Sequence, residues 1–164
     1  CCNSMRPFLH REVGPAGAAP ARDDVVEQVI VDGHHLAPET VAVTLRAARG
    51  RPALVSDAMA AAGQAEGVFR LGDVEVHVAG GVARRADGTL AGSTLSLLEA
   101  VRNLHALGAP LAEALAAATE VPARVLGRQD IGSLRPGARA DVLVLDDRLE
   151  LVRVLRDGRP LVAA

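Results

Sequence analysis

An α/β fold is what this sequence predicts, with a parallel β/α portion first and antiparallel strands at its end. Three observations predict it. Two short apolar runs, "VVEQVIVDGHH" (residues 25–35) and "PALVSDAM" (residues 52–59), end in polar residues and flank a helical pattern, which is the order of a parallel β/α unit. In residues 67–93, Val74, Val76 and Val78 alternate with Glu75 and His77 between glycine turns, the period of half-buried hairpin strands. After Ile131 the tail carries a Pro-Gly turn, the apolar run Val142 to Leu145, and Asp157-Gly158 between two apolar segments, which reads as a few antiparallel strands.

The helices follow from their ends. "APETVAVTLRAARG" (residues 37–50) opens on Pro38 and Glu39, carries Val41, Val43, Leu45 and Ala48, and stops at Gly50;. Ser96 and Glu99 have the spacing of a capping box ahead of Leu97, Leu98, Val101, Leu104 and Leu107;. "PLAEALAAATEVPARVLG" (residues 110–127) predicts a further helix with Pro110 in its first turn, a break at Pro122 and Gly127 past its end;.

Composition narrows the function classes. With 164 residues, 49% of them hydrophobic, the chain has enough apolar material for a core;. A formal charge of -2, two Phe and no Tyr or Trp leave neither a basic field nor a stacking platform, so no nucleic-acid partner is expected;. The apolar stretches fall short of the roughly 20 residues that span a bilayer, so no membrane partner is expected. The two cysteines, Cys1 and Cys2, are adjacent and suit neither a disulfide framework nor a zinc knuckle, and a cytoplasmic protein is expected. The chain begins mid-pattern without an initiator Met, as a truncated chain does;.

The residue types that carry chemistry gather at strand ends. Asp57 follows the run Ala53-Leu54-Val55 and precedes Ala58, Ala60, Ala61, Ala62 and Gly63. A carboxylate at the carboxyl end of a parallel strand, among neighbours small enough to admit a substrate, suits proton transfer at an amide. The same pattern suits the N-cap of a helix. Asp32-Gly33-His34-His35 ends the other strand; its histidines suit a metal, an oxyanion or a phosphate, or simple solvation in a loop. Arg11, beside His10 and Glu12, suits a phosphate or a solvated surface position. The glycines of "DGTLAGSTLSLLEA" suit a backbone approach to a ligand or a plain turn before a helix;.

Five segments in order, "NSMRPFLHREVG" (3–14), "VDGHHLAP" (31–38), "LVSDAMAAAG" (54–63), "DGTLAGSTLSLLEAVRNL" (87–104) and "ATEVPARVLGRQDIGSLRPGARADVLVLD" (118–146), resemble the carboxyl-terminal part of the N-acetylglucosamine-6-phosphate deacetylases of the amidohydrolase superfamily. The resemblance implies the C-terminal part of a (β/α)8 TIM-type barrel over residues 1–130 and the terminal strands of a small β-sandwich over 131–164. It implies metal-dependent hydrolysis of the acetamide of N-acetylglucosamine 6-phosphate to glucosamine 6-phosphate and acetate, with Asp57 as catalytic acid/base. Asn3, Ser4, Arg11, His35, Leu90, Ala91 and Gly92 fall on the family's substrate-binding positions, Arg11 and His35 on its phosphate and substrate contacts. His34 falls on the variable place of the Asp-Gly-X-His motif, and Val13 stands where the family has Pro.

The same resemblance implies a divalent metal, zinc or iron, and a homodimer. The family's metal-binding His lies in a Thr-His-Leu-Phe run whose last two places are Cys1 and Cys2 here, and its Glu and second His fall farther upstream. No metal ligand is therefore expected within the chain, and alone it is expected to be inactive. The alternatives are a phosphosugar-binding module without turnover and a purely structural half-barrel. The deacetylase reading places Asp57 against the 32–35 turn and the 90–92 bend, which is a geometric expectation.

Overall fold

The computed structural model describes residues 5–161. It divides into two compact units, with the boundary between Ala118 and Thr119.

The first unit opens with a short helix, α1 (Gly14–Ala18), and then strand β1 (Gln28–Val29). Helix α2 (Pro38–Ala48) connects it to strand β2 (Ala53–Leu54), and the two strands pair in parallel, Gln28 opposite Ala53 and Val29 opposite Leu54. This is the β/α unit expected from the two apolar runs. The formal ladder is short, but it continues through Ala53 N–H donating to the Glu27 carbonyl at 2.8 Å and Val55 N–H to the Val29 carbonyl at 3.1 Å. Helix α2 starts on Pro38, whose missing N–H is no loss in a first turn, and ends when Arg49 turns left-handed at φ 47° with Gly50 at φ 75° behind it. The stop expected of Gly50 therefore begins one residue earlier.

Four strands then form an antiparallel meander: β3 (Gly67–Leu71), β4 (Val74–Ala79), β5 (Val82–Arg85) and β6 (Leu90–Ser93). Alternation along β4 decides which face is covered. Val76 and Val78 are buried with Met59, Ala61, Ala83 and Ala91, while Glu75 and His77 face outward and pair at 3.1 Å. At the β5–β6 turn, Thr89 N–H and the Asp87 carboxylate close an Asx-type hydrogen bond of 2.9 Å;.

Helix α3 (Leu97–Ala106) carries the expected capping box, with the Ser96 hydroxyl accepting from Glu99 N–H and the Glu99 carboxylate accepting from Ser96 N–H. Helix α4 (Leu111–Ala118) packs beside it, and both contact β2. Val29, Ile30, Val31, Leu36, Val41, Leu54, Val101 and Leu104 bury one another with the small residues Ala100, Ala114 and Ala117 between them. Withdrawing each of the larger side chains from water contributes about 1.5–3 kcal/mol, and this is what holds the helices on the strand pair.

The second unit opens with α5 (Glu120–Val125). The expected break in residues 110–127 falls at Thr119 (φ -129°, ψ -77°), before Pro122 rather than at it. Pro122 sits in the first turn of α5, where N–H groups have no intrahelical acceptor, so the ring is tolerated within the helix;. Three antiparallel strands follow, β7 (Val142–Leu145), β8 (Leu151–Arg156) and β9 (Arg159–Pro160). Asp157 at φ 49° and Gly158 at φ 74° make the two-residue turn that the sequence signalled;. Among the described residues no helix is long and apolar enough to cross a membrane.

Candidate functional site

Strands β1 and β2 lie side by side, so the polar residues past their carboxyl ends meet. The turn after β1 is built by one side chain. Asp32 Oδ1 accepts hydrogen bonds from the backbone N–H of His34 at 2.9 Å and of His35 at 2.8 Å, which folds the chain back on itself;. Its other oxygen, Oδ2, lies 2.7 Å from His35 Nδ1. Burial works to raise the pKa of Asp32, but the two backbone N–H groups and the imidazole outweigh it and hold the carboxyl below its usual range;. Nearby, Asn103 on α3 donates to the Val31 carbonyl at 2.8 Å and ties the helix to the strand end just before Asp32.

The turn after β2 presents Asp57. Its φ of 51° is left-handed, a conformation aspartate adopts more readily than most side chains;. No helix begins there: residues 60–63 form a turn, so the N-cap reading of Asp57 is not what the chain does. The backbone on both sides of Asp57 is instead locked to β6. Ser93 N–H donates to the Asp57 carbonyl at 2.8 Å, Met59 N–H donates to the Ser93 carbonyl at 2.9 Å, and the buried Ser93 hydroxyl donates to the Ser56 carbonyl.

These two turns place Asp57 Oδ2 3.5 Å from His35 Nε2. The His35 side chain is 1% exposed and that of Asp57 is 47% exposed, so the imidazole is enclosed by the protein and the carboxylate is open to solvent. Leu90, Ala91 and Gly92 lie on β6, and Gly92 brings that strand against the Asp57 backbone. Gly92 has a φ of 88°, and a Cβ there would lie 3.0 Å from the Asp57 carbonyl oxygen and 3.4 Å from Met59 Cβ. Gly92→Ala is therefore expected to lower stability by about 1–2 kcal/mol through the left-handed backbone alone, with more from the contact. Urea denaturation of the variant beside the parent chain measures it, and equal midpoints would show that the bend does not hold Asp57.

Of the residues singled out in the sequence, Asp57, His35 and Gly92 come together here, while Ala91 packs in the cluster with Met59 and Ala61 and Leu90 pairs with Arg84 on β5. Arg11 lies at the tip of a tight turn closed by Leu9 and Glu12, which exchange backbone hydrogen bonds of 3.1 Å in both directions. It is exposed, and among the described residues no hydrogen bond or ion pair joins it to His35 or Asp57. Asn3 and Ser4 lie outside the described residues. His34 is exposed and contributes its backbone N–H to Asp32.

Sequence reasoning misses three residues. Asp32 belongs to a motif whose chemistry the sequence assigns to the histidines, although an Asp two and three places before backbone N–H groups is an Asx-turn signal. Ser93 and Asn103 carry no signal, because each acts on backbone that is distant in sequence, Ser56 and Val31 respectively.

The donors present fall short of a metal centre. Among the described residues no three His, Cys, Asp or Glu side chains gather to hold an ion. With Nδ1 of His35 occupied by Asp32, the site offers one imidazole nitrogen and one carboxylate, fewer than the three protein ligands of a catalytic zinc;. The described residues do not fit a metal centre by themselves.

Known proteins are similar to this chain in sequence and in fold. The model of the amidohydrolase family matches residues 17–161. A putative N-acetylgalactosamine-6-phosphate deacetylase of Escherichia coli strain K12 is 42% identical over 161 residues, covering 97% of this chain and 96% of its own. The N-acetylglucosamine-6-phosphate deacetylase of Vibrio furnissii is 36% identical, again over 97% of this chain but 40% of its own. Among solved structures, an N-acetyl-D-glucosamine-6-phosphate deacetylase variant from Mycobacterium smegmatis, in complex with N-acetyl-D-glucosamine-6-phosphate, superposes with a TM-score of 0.93 at 40% identity. That match covers 99% of this chain and 44% of the mycobacterial one. The chain thus spans nearly all of the first relative and about two fifths of the other two. On the family model and on these identities, the chain belongs to the amidohydrolase family.

Proposed function

We propose that the protein carrying this chain is a deacetylase of N-acetylated hexosamine 6-phosphates, hydrolysing the acetamide to a free amine and acetate. The observation that carries the reading is the half-open Asp57 carboxylate 3.5 Å from a fully buried imidazole at the mouth of a parallel strand pair. In the hydrolysis a water oxygen bonds to the acetyl carbon, the carbon–nitrogen bond breaks, and the amine leaves with one added proton. Asp57 suits that transfer, taking a proton from the attacking water and handing it to the nitrogen. His35 suits a contact to the sugar, and Gly92, beside the Asp57 carbonyl, suits a backbone approach to it, with Leu90 and Ala91 preceding it on β6.

The wider architecture is proposed on the same ground: the C-terminal part of a (β/α)8 barrel to residue 130, with residues 131–164 as strands of a β-sandwich. Leu143 and Val144, neighbours on β7 that point to opposite faces, are both exposed, as are Leu151 and Val152 on β8, so each face of the β7–β9 sheet carries exposed apolar side chains; a sandwich is supported because a second sheet would cover one of those faces;. Arg11 as a phosphate contact, Asn3 and Ser4 as sugar contacts, a divalent metal held by residues other than those described, a homodimer and a cytoplasmic setting complete the proposal.

N-acetylglucosamine 6-phosphate is the substrate implied by the sequence motifs and by the ligand of the mycobacterial relative. N-acetylgalactosamine 6-phosphate is the second reading, favoured by the names of the two relatives at 42% identity. Acetate release from the two epimers, measured side by side with the intact enzyme, is expected to show turnover of at least one. The larger kcat/KM assigns the epimer, and no acetate from either would refute the deacetylase.

A further inference from the structure

We infer that Asp32 is a positioning residue for His35: it holds the ring proton on Nδ1 and aims the Nε2 edge at the space shared with Asp57. The inference rests on the reading of Asp57 and His35 as the groups that meet the substrate. Both oxygens of Asp32 have separate tasks. Oδ1 accepts from two backbone N–H groups, so the carboxylate cannot rotate without opening the 32–35 turn. Oδ2 is left for His35 Nδ1 at 2.7 Å. The same hydrogen bonds that build the turn keep Asp32 ionised near neutral pH, where a carboxylate accepts only, so the hydrogen between the two must sit on Nδ1;.

The ring has no freedom to undo this. His35 is 1% exposed on its side chain and Asp32 9%, and the two lie three residues apart in one turn. Nε2 is the remaining edge, and it points to Asp57 Oδ2 at 3.5 Å. That separation is longer than a good hydrogen bond, which leaves both groups able to engage a polar group of a substrate lying between them. Asp32 and Asp57 are the two charged side chains in contact with the ring among the described residues, one on each nitrogen.

Asp32→Asn separates this role from that of building the turn. The amide oxygen can still accept from the His34 and His35 N–H groups, but its NH2 then faces Nδ1 and donates to it. The ring proton must move to Nε2, the wrong-tautomer logic known from Asp–His pairs in hydrolases.

The test is nitrogen-15 NMR of histidine-labelled protein, with the His35 signals identified by their loss in His35→Gln. Unmodified protein is expected to show a proton on Nδ1 of His35, and Asp32→Asn to show it on Nε2. A proton on Nε2 alone in the unmodified protein, or an unchanged pattern in Asp32→Asn, overturns the inference. In the intact enzyme Asp32→Asn is expected to lower kcat/KM by up to about 100-fold, the scale of a misplaced substrate-positioning group, with an unchanged unfolding midpoint, and full activity in that variant overturns it equally. Should the unmodified enzyme release no acetate, the deacetylase reading fails while the spectra still decide the tautomer. If Asp32→Asn does not fold, the spectrum of the unmodified protein decides alone: a proton on Nδ1 supports the inference and one on Nε2 alone overturns it.

Discussion

Asp57→Asn is expected to lower kcat for acetate release by about 10²–10⁴-fold in the intact enzyme, the range spanned by removing a positioned acid–base group. In barrier terms that is roughly 3–5 kcal/mol. The choice of Asn matters because of the backbone. At φ 51° most side chains are strained, but Asn visits the left-handed region about as readily as Asp;. The Asp57 carbonyl therefore keeps its hydrogen bond from Ser93 N–H, and the Gly92 bend keeps its place against it. What changes is a carboxylate that can carry a proton becoming an amide that cannot. Asp57→Ala tests the other half, since it loses the proton carrier and also takes on the left-handed strain. The pair of variants is read by steady-state kinetics and thermal unfolding together. An Asp57→Asn enzyme within about threefold of the parent in kcat, at either epimer, removes Asp57 from the reaction, since the smallest loss expected of an acid–base group is far larger.

How much of this is legible in the sequence depends on how local the chemistry is. The capping box of Ser96 and Glu99, the Asp157-Gly158 turn and the alternation of Val76 and Val78 are decided by residues within a few places of one another, and each forms as expected. The strand–helix–strand order around α2 is legible because apolar runs and a Pro-led helix announce themselves. The chain break falls at Thr119 and not at Pro122 because a proline in a first turn interrupts nothing, and only the structure shows where that turn begins;. The meeting of Asp57 with His35 can be expected only through family motifs, since it depends on which strand lies beside which. The clamps from Ser93 to Ser56 and from Asn103 to Val31, 37 and 72 residues apart, have no local sign at all. Nor does anything local mark Glu27, which sits inside an apolar run and is buried with it.

Replacing Glu27 by Leu is expected to stabilise the protein by about 1–3 kcal/mol at neutral pH, which reverses the usual sign for a buried position. Glu27 is 3% exposed, and neither carboxylate oxygen has a hydrogen-bond partner among the described residues. Period two along the strand puts it on the same face as buried Val29 and Val31;. Burial raises its pKa, against an opposing pull from Arg51. Burial outweighs that pull, and the Arg51 charge is also paired with Asp23 while its other N–H groups donate to the Val25 and Pro20 carbonyls. A carboxyl whose folded-state pKa is raised contributes most to stability below its unfolded value, about 4.3, and loses that contribution as pH rises through the folded value. The advantage of Glu27→Leu should therefore be largest at neutral pH and shrink as the pH falls toward about 4, with Glu27→Gln lying between because an unpaired amide stays buried. Urea unfolding of the three proteins at several pH values measures this. A Leu variant less stable than the parent at neutral pH would mean that the carboxylate is held by a partner after all, and that its desolvation is offset.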